Sequence, residues 1–87
     1  NQNPEQLHLS GLKLEEREAV SIANFFLIKK YKEEKFAKMI ISLESLNSTI
    51  LWNITVVLRN LNVINIRISD RNSEVVEDKL ISPFLKQ

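Results

Sequence analysis

Apolar and polar residues alternate in two consecutive stretches of this chain. Ile54, Val56 and Leu58 alternate with Asn53, Thr55 and Arg59; Ile64, Ile66 and Ile68 alternate with Asn65, Arg67 and Ser69. A period of two gathers each apolar set on one side of an extended strand. The β-branched residues Ile50, Ile54, Val56, Val57, Val63, Ile64, Ile66 and Ile68 favour the same conformation. The run from Thr49 to Ile68 also has the length of a membrane span, with 12 of 20 residues apolar, but Arg59, Arg67 and four asparagines lie inside it. Each centrally placed arginine costs about 2.5–3.5 kcal/mol on insertion, which excludes a membrane helix. Two strands joined as a hairpin remain. A three-residue loop, Asn60-Leu61-Asn62, sets Leu58 against Ile64, Val56 against Ile66 and Ile54 against Ile68. The outer side then carries Arg59–Val63, Val57–Asn65 and Thr55–Arg67, with Leu61 exposed at the tip and Asn62 taking the left-handed position.

Elsewhere the spacing predicts helices. In "LKLEEREAVSIANFFLIKK" a helix starts near Leu14, with Glu15, Glu16 and Glu18 in its first turn and Lys29 and Lys30 late, as the helix dipole favours. From Ala19 to Ile28 only Ser21 and Asn24 are polar, so most of its faces are expected to be buried. "KFAKMIISLESL" reads as a second helical run, with Phe36, Ile40 and Leu43 on one stripe and Met39 and Leu46 beside it. The junction "KKYKEEK" has no Gly or Pro, but a straight helix sets Lys29 and Glu33 in the middle of the apolar stripe, which favours a kink or short break. "QLHLSG" reads as a short strand and "SDRNS" as a turn. "SEVVEDKLISPFLKQ" reads as a C-terminal helix capped by Ser73 and ended at Ser82-Pro83.

The expected fold is therefore α+β: an N-terminal helix or helix pair packed on an antiparallel β-hairpin, closed by a C-terminal helix, with a short extra N-terminal strand. The 87 residues make one small domain, 1–87, with 1–6 flexible. The start at Asn1 suggests a processed or excised segment. A chain of this size buries only about 60–65% of its unfolded surface and needs support. It has no cysteine and one histidine, His8, so disulfides, thiolate metal sites and imidazole clusters are excluded, and no metal or cofactor is expected. Association with another chain is the remaining support.

The candidate chemistry is sparse. His8 has no nucleophile or acidic partner in a recognisable motif, and the pairs Glu15-Glu16 and Glu33-Glu34 read as solvated helix positions. Ser10-Gly11 is too short for a phosphate loop, and a single glycine leaves little scope for backbone cradles. No catalytic residue is assigned, and the expectation is a non-enzyme. Trp52, Phe25, Phe26 and Phe36 read as core. Asn47-Ser48-Thr49 and Asn53-Ile54-Thr55 match the glycosylation acceptor pattern, which matters only in a secreted protein.

Lys29, Lys30, Lys32, Lys35 and Lys38, interleaved with Tyr31, are the nucleic-acid candidate: cations for phosphates and an aromatic for a base. Glu33 and Glu34 reduce the local charge, and the net charge is only +1. A KH domain grips RNA with a GXXG loop between helices; here that junction is "KKYKEEK", without glycine. A winged helix needs a recognition helix that the sequence does not offer. The leading expectation comes from a structural deficit. A two-stranded hairpin is marginal in water and has two open edges, and Leu51, Val57, Leu61, Val63 and Asn65 lie on or near its outward side. This hairpin edge and face is the expected contact surface of a protein-interaction or oligomerisation module, working as a homo-oligomer or as a subunit of a larger assembly.

Overall fold

The structure is a computed structural model and describes residues 11–82. One helix, α1 (Glu16–Phe26), is continued by a π-helical turn, Leu27–Tyr31, and followed by four strands: β1 (Lys38–Leu46), β2 (Thr49–Val57), β3 (Val63–Ser69) and β4 (Val75–Ile81). The strands form one antiparallel meander in the order β1-β2-β3-β4. The α+β class stands. The second N-terminal helix and the C-terminal helix do not form; their residues make β1 and β4. The expected N-terminal strand and His8 lie outside the described residues.

Strands β2 and β3 form where alternation demanded them, and they make the centre of the sheet. Direct partners across the sheet stack in rows. One side carries Met39–Val56–Ile64–Leu80, Ile41–Ile54–Ile66–Asp78 and Leu43–Trp52–Ile68–Val75. Helix α1 and the π-helical turn that continues it pack on this side through Ala19, Ala23 and Leu27, spaced four apart on one stripe. The two alanines let the helix axis approach the sheet closely, and Ile54, Val56, Ile64, Ile66 and Ile68 lose all exposure beneath it. Burial of each is worth roughly 1.5–3 kcal/mol. Outside the stripe, Phe25 (66% exposed) and Ile28 (45%) face solvent, so the helix buries one face and not most of its faces.

The helix starts at Glu15, whose N–H donates to the Glu18 carboxylate at 2.8 Å. It stops at Lys32, which adopts a left-handed conformation (φ 59°) and donates its N–H to the Leu27 carbonyl. The chain between residues 29 and 35 therefore ends a helix rather than bending one. The stop is held from outside: Tyr31 Oη and Lys30 Nζ both donate to Asp78 of β4, at 2.6 and 2.8 Å.

The central hairpin keeps the expected odd loop and facing sides, but its register is shifted by two residues. Val57 faces Val63, Val56 faces Ile64 and Ile54 faces Ile66. The loop is Arg59-Asn60-Leu61, closed by the Leu58 N–H donating to the Asn62 carbonyl and the Leu61 N–H donating to the Leu58 carbonyl. The left-handed residue is Leu61 (φ 72°), not Asn62. Asn60 decides this: its side-chain oxygen accepts from the Asn62 N–H at 2.9 Å, an Asx-type turn that fixes the loop one residue earlier. Asn47 and Ser48, both with positive φ, make a two-residue turn between β1 and β2. Ser73 (φ 65°) closes the β3–β4 turn, and is not a helix cap.

Candidate interaction surface

Because the helix covers one side of the sheet, the other side has no helix or strand over it among the described residues. Its rows are Lys38–Val57–Val63–Ile81, Ile40–Thr55–Asn65–Lys79, Ser42–Asn53–Arg67–Glu77 and Glu44–Leu51–Ser69. The polar members bind one another. Arg67, central on β3, donates to Glu44 of β1 at 2.9 Å and to Glu77 of β4 at 2.8 Å. Asn53 donates to Glu44, and Asn65 donates to Asn53 at 2.6 Å. Hydrogen bonds to Glu44 and Glu77 raise the Arg67 pKa above its already high ordinary value, so its charge is permanent. This ladder ties the carboxylates of both outer strands to one guanidinium. The apolar members cluster at one end, where Val57 and Val63 are half-buried direct partners, Ile81 lies beside them and Leu61 stands at the adjacent loop.

Of the five residues expected to form the contact surface, Val57, Val63 and Asn65 share this side, Leu61 is 53% exposed at the tip, and Leu51 is buried at 6%. Leu51 lies on the same side, in the row Glu44–Leu51–Ser69, but this end of the side is buried, with Ser69 also at 6%, so Leu51 is not exposed for contact. The edge component of the expectation changes as well. β2 and β3 are paired on their outer sides by β1 and β4, so the central hairpin has no free edge; the free edges belong to β1 and β4.

The lysine segment is dispersed. Lys30 and Tyr31 are held by Asp78, and Tyr31 also meets Phe26 edge-on at 6.2 Å. Burial, then the Asp78 carboxylate, push the Tyr31 phenol up to about 12. Lys29 lies over Phe25, Lys32 Nζ donates to the Lys29 carbonyl, and Lys38 begins β1 on the uncovered side. Lys35 is exposed in the connection between helix and sheet. These side chains do not converge on one groove, and Tyr31 is not an open stacking platform.

One functional-looking group escaped sequence reasoning. Asp70, 4% exposed, accepts from the backbone N–H groups of Lys13 and Leu14 at 2.8 and 3.0 Å and from the Trp52 indole N–H at 3.0 Å. Burial alone raises its pKa, but these three donors outweigh burial and hold it below the ordinary carboxylate value. With all its partners being donors from the fold itself, Asp70 is a latch that ties the segment before α1 to the sheet. Nothing local marks it, since its backbone partners lie more than 50 residues away.

No group of three or more His, Cys, Asp or Glu side chains positioned to hold a metal exists among the described residues, and no helix among them is long and apolar enough to cross a membrane. Comparison of the chain with protein-family models, curated proteins and solved structures finds no match in any of the three.

Proposed function

We propose that this chain is a non-enzymatic protein-interaction or oligomerisation module whose contact surface is the uncovered side of its sheet. The observation that supports this reading is the row Lys38–Val57–Val63–Ile81, extended by Leu61. It sets apolar side chains on an exposed side beside a polar ladder whose hydrogen bonds are already made. A partner that covers Val57, Val63 and Ile81 gains burial beside polar groups already paired, while Lys38 at the end of the row keeps its ammonium in water. Asp70, Asp78, Glu44, Glu77 and Arg67 are engaged in hydrogen bonds that hold the fold.

The test is the solution mass of the chain with and without Val57→Lys or Val63→Lys. Each substitution puts a charge in the centre of the apolar row and is expected to lower the associated mass without unfolding the chain. An unchanged mass in a protein that does associate contradicts this surface.

A further inference from the structure

The two edges of the sheet differ in construction. β4 has seven residues, a register shift between Arg67 and Ile68 of its partner strand, and Glu77, Asp78 and Lys79 in succession. Bulges and charges of this kind keep an edge from pairing with another chain. β1 has nine residues, pairs with β2 from Lys38↔Val57 to Leu46↔Thr49 without a shift and contains no proline. Among the described residues no further strand flanks it.

The sequence of β1, KMIISLESL, also complements itself when reversed. In an antiparallel register centred on Ile41, Lys38 faces Glu44 of a second copy, Glu44 faces Lys38, Met39 faces Leu43 and Ile41 faces Ile41. Opposite charges meet on the uncovered side, and apolar residues meet on the helix side. Met39, Ile41 and Leu43 pack against the core but stay partly exposed, so this pairing completes burial that a single helix leaves unfinished. Moving the centre to Ser42 sets Lys38 against Leu46 and Ile40 against Glu44, and loses both charge pairs. A one-residue slip turns the two helix sides to opposite faces of the joint sheet.

We infer that β1 pairs antiparallel with β1 of a second copy about a two-fold axis at Ile41, giving a continuous eight-stranded sheet. The inference rests on the association reading above and names the partner as a second copy. Such a contact is isologous, each surface meeting itself, and it leaves the two uncovered faces side by side.

The chain has no cysteine, so single-cysteine variants of the full chain report the register directly. Facing Cα atoms in an antiparallel pair lie about 4.5–5.5 Å apart, within disulfide reach. Ile41→Cys under mild oxidation is expected to convert most of the protein to a disulfide-linked dimer, and Ser45→Cys, far from the axis, to give almost none. Lys38→Glu, at an exposed position, is expected to weaken self-association about tenfold with an unchanged circular dichroism spectrum, and mixing it with Glu44→Lys to restore association through matched charge pairs. This rescue, which the face alone does not give, decides the matter if Ile41→Cys fails to fold. Equal cross-linking at both cysteine positions, or unchanged association of Lys38→Glu, overturns the inference. Association abolished by Val57→Lys without cross-linking of Ile41→Cys removes the edge pairing and keeps the face. Cross-linking with association insensitive to Val57→Lys keeps the edge and removes the face. A monomeric parent chain removes both.

Discussion

Strands β2 and β3 show the same backbone in two environments, one residue apart. On the helix side, Ile54, Val56, Ile64 and Ile66 have no exposure and are held only by packing. On the other side, Asn53, Thr55, Asn65 and Arg67 are half-exposed and are held by directed bonds to one another and to Glu44 and Glu77. The first side needs a covering element and has one. The second has no helix or strand over it among the described residues, and its apolar pair Val57 and Val63 stays half-buried. Stability is expected to live on the first side and association on the second.

The sharpest way to break this division is to hollow the covered side. Ile66→Ala is expected to destabilise the fold by about 3–4 kcal/mol, since a fully buried branched side chain leaves a cavity under α1. Chemical denaturation measures this. Asp70→Ala comes next, at roughly 2–3 kcal/mol, because three N–H donors lose their acceptor in a buried place. The same latch gives the fold its acid sensitivity. Asp70 and Asp78 both have pKa values lowered on folding, Asp78 by Lys30 first and Tyr31 second. Their contribution is complete above the unfolded carboxylate pKa, about 3.9, and is lost as the pH falls through their lower folded values. Melting temperatures are expected to drop below about pH 4, and less steeply in Asp70→Ala. A parent chain whose melting temperature is unchanged between pH 7 and pH 3 contradicts the latch.

On the uncovered side the effects shrink. Arg67→Ala is expected to cost about 1 kcal/mol, since its ion pairs are partly exposed and screened. At the loop joining the two strands, Leu61→Gly is expected to stabilise by about 0.5–1 kcal/mol. It relieves a left-handed leucine at an exposed position. Val57→Lys is expected to cost about 0.5–1 kcal/mol, since a half-buried β-branched residue is lost and the new lysine faces Lys38, while its effect on association is the larger one. A Val57→Lys variant that unfolds blurs the division between the sides.

The central strands were legible because burial on one side only imposes a clean period of two, which β-branched residues reinforce. The outer strands were not. In β1 and β4 apolar residues lie on both sides of the strand, so the alternation that marks one-sided burial is broken: Ile40 and Leu43, or Val75 and Val76, fall on opposite sides at spacings that a helix also satisfies. What separates the two readings is the partner strand, which is not a local property. The helix end was hidden for a similar reason: no glycine marks Lys32, whose left-handed turn is stabilised by the contacts of Lys30 and Tyr31 with Asp78, 48 and 47 residues away. Of the expected surface, Val57, Val63 and Asn65 followed from parity alone. The burial of Leu51 and the latch at Asp70 depend on rows that only the complete sheet assembles.

Sedimentation equilibrium of the full chain, across a hundredfold range of protein concentration at neutral pH, shows whether the chain associates with itself. The mass is expected to rise with concentration from the 10.1 kDa of one chain toward a multiple of it. A folded chain that stays at the single-chain mass throughout contradicts self-association.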